Sequence, residues 1–334
     1  MNEKKQSGLK RLMGTKGMGA VLTAFIGLIV IYIAFGLIDR NVFTMRNNLN
    51  LLRSMSKYLL IGVGQSYLLI TGNIDLSIGS MVAMSAMVSA TLMTMGMAPI
   101  VAMGVALVCC LVCGIVNGIL VGKFKLPPFI ATLGTMFVAR GLAYMVNNNR
   151  NTDAISSGIG QEAADKFQNF FYYGQTFGIY NTFWIALILF AVFFFVLSKT
   201  RTGRHIYAIG SNVEAAKLSG VNVVNTTIKA YLVSAVCSCV VGLILCAQAG
   251  MGNMEAGTSY EMYGVAAGVI GGVSPLGGSG LLLGTFAGAA VWQVLENGLN
   301  MIGAQVGIQR LVIGIIVVGA VLADVVVRGG KKSK

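Results

Sequence analysis

Chemistry in this chain would have to come from a short roster of side chains. There is one histidine, His205, and six cysteines in two groups. Cys109, Cys110 and Cys113 lie in VALVCCLVCG, and Cys237, Cys239 and Cys246 lie in VSAVCSCVVGLILCAQ. A Cys-Cys-x-x-Cys run suggests metal ligation. The histidine stands in a different segment, however, and both groups sit inside apolar runs, so the thiols read as small buried apolar residues. A glycine-rich stretch, Gly271-Gly272 through Gly277-Gly278 and Gly280, surrounds Ser274-Pro275. It lacks the G-x-x-x-x-G-K-[ST] arrangement of a phosphate cradle and no lysine follows it, so it reads as a tight connection between helices. No nucleophile–base pair, paired-carboxylate motif or metal-ligand set is present. Neither a catalytic residue, a metal nor a resident cofactor is expected.

Polar residues placed among apolar ones are the more informative signal. In ITGNIDLSIGS, Ile70 to Ser80, Asn73 and Asp75 fall at the junction of two apolar runs. A carboxylate at membrane depth is costly and usually functional. Gly72 permits a turn there, and Asp75 is expected to cap the following helix by accepting backbone N–H bonds, as a reentrant or broken helix would require. Gln65, Asn73, Asp75, Asn117, Glu296 and Asn300 are the candidate liners of a polar path through the bundle. An Asn or Gln serves equally well as a hydrogen bond between helices.

A third segment, KTRTGRHIYAIGSNVEAAKLSGVNV, is charged and carries the S-x-x-E spacing of a capping box at Ser211 and Glu214. A two-turn helix is expected through Ala215, Ala216, Lys217 and Leu218, ended by Gly220 in a left-handed cap. Arg201, Arg204 and Lys217 surround it with positive charge. Such a knob suits insertion into a groove on a partner protein; the alternative is an ordinary solvated loop helix.

The elements that must position these residues are membrane helices. The hydrophobic fraction is 56% and the charged fraction 10%, against about 25% charged in a soluble domain. So much apolar sequence in 334 residues has to face lipid. Lysine and arginine number 24 against 11 acidic residues, a net charge of +13. The charges sit in tails and short loops, as suits an anionic cytoplasmic leaflet, and no basic stretch carries interleaved aromatics, so no nucleic-acid partner is expected.

About ten spans of suitable length are expected, in an all-α polytopic membrane protein. They run from about Gly19 to Ile38, Lys57 to Thr71, Leu76 to Met95, Pro99 to Val121, Phe129 to Val146, Thr182 to Leu197, Ile228 to Ala249, Tyr263 to Val273, Leu281 to Ile302 and Gly307 to Val327. Basic tails over 1–18 and 328–334 flank a single membrane domain over 19–327. Lysine and arginine in short loops set the orientation. The loop with Lys123 and Lys125, the loop over 199–227, and both termini are expected in the cytoplasm. The 147–181 segment is expected outside. Arg40, Arg46, Arg53 and Lys57 object, because they fall between spans one and two on the outer side. Either the first helix is oriented otherwise, or Arg46 to Lys57 lies along an interface or packs in the bundle; the agreement of every later loop favours the second.

At these segments the chain resembles the membrane permeases of bacterial sugar importers of the ATP-binding-cassette type, the ribose, galactose and xylose group. The resemblance rests on Gly72-Asn73-Ile74-Asp75-Leu76-Ser77-Ile78-Gly79, and on Pro128-Phe129-Ile130-Ala131-Thr132-Leu133-Gly134-Thr135 with Arg140-Gly141. It continues in Thr202-Gly203-Arg204, Ala208-Ile209-Gly210, Glu214-Ala215-Ala216 and Gly271-Gly272, over roughly residues 40 to 325. It implies a type II importer permease fold of ten helices in the bacterial inner membrane, surrounded by membrane lipid. It also implies a second permease copy or paralogue, two cytoplasmic ATPase subunits that bind the ATP, and an extracytoplasmic sugar-binding protein delivering a small sugar. Arg204, Ser211, Glu214, Ala215, Ala216, Lys217, Leu218 and Gly220 would then form the coupling helix that docks in the ATPase. Two positions depart from the pattern: Tyr263 stands where an acidic residue is frequent, and Glu296 where a neutral one is common. They leave the substrate open, a nucleoside or other small polar solute included. Two rivals are an ion-coupled secondary transporter, for which Asp75, Glu261 and Glu296 would carry the coupling site, and a membrane-embedded enzyme.

Overall fold

A computed structural model describes residues 18–309 and, beyond them, 311, 312, 314, 315, 318 and 319. The basic tail before Met18, the tail over 328–334 and most of the span expected from Gly307 to Val327 lie outside the described residues. The helices are α1 (Met18–Ile38), α2 (Met45–Ile70), α3 (Ile78–Thr94), α4 (Pro99–Gly122), α5 (Pro128–Met145), α6 (Ser156–Ile159) and α7 (Gln161–Gln168). They continue as α8 (Asn181–Lys199), α9 (Arg201–Ser211), α10 (Val213–Leu218), α11 (Val223–Ala249), α12 (Tyr260–Ile270) and α13 (Leu282–Met301).

Four of these, α1, α4, α8 and α11, are long and apolar enough to cross a membrane by themselves. Helices α2, α5 and α13 have the length, at 26, 18 and 20 residues, with more polar sequence. Helix α3 has 17 residues and α12 only 11. A helix of 11 residues rises about 16 Å, half of a hydrocarbon core. The chain therefore has to re-enter the bundle around it.

Burial separates the helices into two groups. Helices α2, α3 and α11 form the centre: residues 58–70 of α2 and 78–90 of α3 are buried throughout. Helices α1, α4, α5 and α8 show an apolar flank outward, as with Ile26, Val30 and Ile33 on α1 and Phe129, Phe137 and Val138 on α5. In water such flanks would be a liability; they suit acyl chains. Helix α11 packs along α2, α3 and α4, while α12 lies between α2 and α13, and α13 also meets α1. The α12–α13 contact is close because Gly284 and Gly288 leave no room for a Cβ against the Gly271 and Ala267 carbonyls.

The second helix departs from expectation. It starts at Met45, not near Lys57, with the Thr44 hydroxyl accepting from the Asn47 N–H. Its polar first turns are packed in the bundle. Asn47 and Asn297 exchange side-chain hydrogen bonds of 3.1 and 3.0 Å, and the Tyr32 hydroxyl donates to Asn48 at 2.7 Å. The Arg53 guanidinium lies 4.1 Å from the Tyr180 ring and 4.5 Å from the Tyr172 ring, a cation–π arrangement that accommodates its charge. Of the four basic residues that objected to the topology, Arg53 and Lys57 are thus in a helical part of the bundle, while Arg40 and Arg46 are exposed at its edge.

The segment between α5 and α8, for which no elements were expected, is folded. It contains α6, α7, a π-helical turn (Asn169–Tyr173) and a ribbon of β1 (Gln175–Thr176) paired antiparallel with β2 (Ile179–Tyr180). Phe167, Phe171 and Tyr172 are buried beneath it. This ribbon is the one departure from an all-α fold among the described residues.

Candidate functional site

The turn after α2 forms because Gly72 adopts a φ of +77°, and the Thr71 hydroxyl donates to the Leu68 carbonyl at 2.7 Å. Asn73 is held at the turn, its amide donating to the Thr71 hydroxyl at 2.8 Å. The chain then re-enters the bundle. Tyr231 donates to the Ile74 carbonyl at 3.1 Å, and the Leu76 N–H to the Thr132 hydroxyl at 3.1 Å. Asp75 is fully buried. One of its oxygens accepts from the Ser77 N–H (2.8 Å) and the Ser77 hydroxyl, and the other from the Ser234 hydroxyl at 2.8 Å. Asn117 donates to Ser77 Oγ at 2.9 Å and accepts from Thr135 at 2.6 Å.

One polar network therefore ties the α2–α3 connection to α4, α5 and α11. The expectation for Asp75 needs correction: Ser77, not Asp75, is the residue at the N-cap of α3, and it makes no side-chain cap bond. Asp75 instead closes an Asx-type turn onto the N–H two residues on. Each carboxylate oxygen is already engaged, so the network positions the reentrant segment.

The other expected pathway residues do not converge on it. Gln65 is fully buried on α2 opposite Gly264 of α12, and neither its amide nitrogen nor its oxygen has a hydrogen-bond partner. Glu296 is half-buried and accepts from the Tyr58 hydroxyl at 2.8 Å. Around it Tyr58, Tyr260, Tyr263 and Trp292 form an aromatic cluster with neighbouring ring centroids 4.9–6.3 Å apart. The two positions that depart from the family pattern, 263 and 296, thus meet in one place. Asn300 is exposed at the end of α13 and accepts from Gln309 at 2.8 Å.

Two clamping residues were not singled out from their chemistry. Arg140 donates to the Met254 and Ala256 carbonyls at 2.7 and 3.1 Å, and Tyr144 donates to Glu255 at 2.6 Å. They fasten the 250–259 connection to α5. A lone arginine inside the apolar α5 run was the available signal.

At the other end of the molecule, α8 is followed by two helices. The expected capping box is displaced by one residue. Asn212 is the cap, accepting from the Ala215 N–H at 2.9 Å, while the Ser211 hydroxyl ends α9 by donating to the Tyr207 carbonyl. Gly220 has a φ of +83°, and the Gly220 and Val221 N–H groups close the end of α10 onto Lys217 and Ala216. Glu214, Ala215, Lys217 and Arg204 are exposed. Leu218 is 89% and Val213 44% exposed, whereas Ala216 is only 4% exposed. The outward apolar knob is thus Val213 and Leu218.

Helix α9 anchors this knob to the bundle. Tyr207 donates to the Gly280 carbonyl at 2.7 Å, and the Gly278 N–H donates to the Ile70 carbonyl at 2.8 Å. Gly210 lies against the same Ile70 carbonyl, where a side chain would not fit. A force on α10 would reach the ends of both α2 and the α12–α13 connection through these contacts.

A lipid-facing bundle with a reentrant polar centre and a small exposed helix pair at one end defines a membrane transport subunit. The chain belongs to the family described as the branched-chain amino acid transport system / permease component, whose match covers residues 47–321. It is 34% identical over 301 residues to the ribose import permease protein of Haemophilus influenzae, covering 90% of this chain and 92% of that one. It is 35% identical over 308 residues to the ribose import permease protein of Bacillus subtilis (92% and 94%), and 32% over 302 residues to the D-allose transport system permease protein of Escherichia coli (90% and 90%). No solved structure matches the chain.

Proposed function

We propose that this chain is the membrane-spanning permease of an ATP-driven importer for a monosaccharide of the ribose or allose kind. The observation that carries this reading is the similarity to ribose and allose permeases along nine-tenths of the chain. In the proposed assembly two permeases stand side by side, each with ten spans and both termini in the cytoplasm. A binding protein delivers sugar to the outer face, and two ATPase subunits dock on α10. ATP binding draws the ATPases together and moves α10. Through Tyr207 and Gly210 that motion tilts α2 against α12 and α13, which changes the side to which the central path opens. Binding energy drives the cycle only because each partner favours a different conformation. The polar network at Asp75 and Asn117 is the fixed part about which the reentrant segment is held. The permease family and the ribose and allose permease relatives support the ATP-driven reading over the ion-coupled one.

The test is affinity purification of the chain from its native membrane in mild detergent, with companions identified by mass. An ATPase carrying a Walker motif is expected; a well-folded chain recovered alone, repeatedly, would overturn the reading. Leu218→Asp then probes the docking surface. Replacing Ala216 would disturb packing because that side chain is buried, whereas Leu218 is exposed. Leu218→Asp is expected to leave the yield and thermal stability of the membrane domain unchanged and to remove the ATPase from the purified complex.

A further inference from the structure

A cleft of about 500 Å³ opens at the end of the bundle opposite α10. It lies between α2, α3, the end of α11 and the 250–259 connection, with Lys57, Gln248, Asn253, Glu255 and Tyr260 among its lining. Its size falls within the roughly 300–1,000 Å³ typical of small-molecule sites. None of the six residues expected to line a path is among its walls.

The chemistry of the walls narrows what fits. The Gln248 side-chain oxygen is buried and accepts no hydrogen bond; an acceptor left so is costly unless something donates to it. Tyr260 supplies an aromatic surface, backed by Tyr58 and Tyr263 at 6.0 and 5.6 Å between centroids. The walls carry one charge of each sign, Lys57 and Glu255. Glu255 also accepts from Tyr144. An anion would be repelled by Glu255 and a cation by Lys57. A neutral solute rich in hydroxyls would not be, and it could donate to Gln248 while laying an apolar face on Tyr260. The outer wall is held in place by the Arg140 bonds to Met254 and Ala256, as a site needs its groups fixed before the solute arrives.

We propose that this cleft is the outer solute-binding site of the permease and that it takes a neutral polyhydroxylated molecule, with Gln248 as the acceptor and Tyr260 as the stacking surface. The proposal rests on the reading of the chain as a sugar permease. The test uses Ala249→Cys, at an exposed position in the cleft on the last turn of α11, in the complete complex purified in detergent. Five native cysteines are buried and Cys109 is half-buried, so labelling of the unsubstituted chain by a membrane-impermeant maleimide provides the background. D-ribose or D-allose at about twice its dissociation constant is expected to slow labelling of the introduced thiol about threefold by mass action, and L-leucine to leave it unchanged. Gln248→Leu in the same background is expected to abolish the protection.

Absence of protection by either sugar at concentrations up to solubility, in a complex that still contains the ATPase and still transports sugar, overturns the cleft while leaving the permease reading intact. Protection by the binding protein irrespective of sugar overturns it in favour of a docking surface. Protection by L-leucine alone, in a complex that carries leucine, overturns both the cleft assignment and the sugar reading.

Discussion

Asp75 shows how much one residue type signals and where the signal stops. A carboxylate in an apolar junction announces a special role, and its neighbours Gly72 and Ser77 are visible beside it in the chain. Its other partners are not, since Ser234 stands 159 positions away and Asn117 reaches Ser77 across 40. Removing the side chain leaves the Ser77 N–H and two hydroxyls without an acceptor. Asp75→Ala is therefore expected to cost roughly 1–3 kcal/mol for the stranded groups, read as a lower thermal midpoint of the detergent-solubilised chain. Asp75→Asn should cost less, because the serine hydroxyls can rotate to accept from an amide. Equal losses for the two variants would mean the network does not depend on the carboxylate oxygens. Glu296 and Tyr263 carry a related lesson. Each is a lone departure in sequence, and only the packing of α2, α12 and α13 reveals that they belong to one aromatic cluster around Tyr58.

At the scale of the element, apolar runs and caps made most helix boundaries legible. Helices α4, α5, α8 and α13 begin and end within a few residues of expectation, because Pro99 and Pro128 sit in the first turns of α4 and α5 and apolar length does the rest. The start of α2 was hidden because its early turns are polar, and polar turns in a membrane protein read as loop until their partners are known. The short α9 was hidden for the same reason. Two predictions belong here. Gly288→Leu is expected to force α12 from α13 and destabilise the bundle by about 1–3 kcal/mol, as overpacking does; an unchanged thermal midpoint would show that the close approach is not required. Arg140→Ala is expected to speed amide hydrogen exchange in the 250–259 connection while leaving α11 protected, since a locally opened segment exchanges on its own. Exchange that rises equally in both would instead make Arg140 a general support of the bundle.

The whole molecule has a direction that follows from α8. Phe177, 92% exposed, precedes this helix, and Leu218 follows it beyond α9. Nineteen residues rise about 28 Å, so the two positions stand at opposite faces of the bundle. In sealed cells Phe177→Cys is expected to react with an impermeant maleimide from outside and Leu218→Cys only after the membrane is opened. The reverse pattern would invert the topology drawn from the basic loops, together with the assignment of the cleft to the outer face.

The amino-acid sequence by itself determined that this chain lives in lipid, where most of its helices fall, and which segments break the apolar pattern. Those properties are local: they depend on hydropathy, on turn glycines and on prolines, all of which act within a few residues. The tertiary structure alone decided which polar groups meet. It brought Asp75 to Ser234, Glu296 to Tyr58, and Arg140 to the 250–259 connection, and it left Gln65 and Gln248 with unpartnered atoms on different helices. Helix packing fixes such pairings, and packing joins residues by shape across distances that no sequence period records.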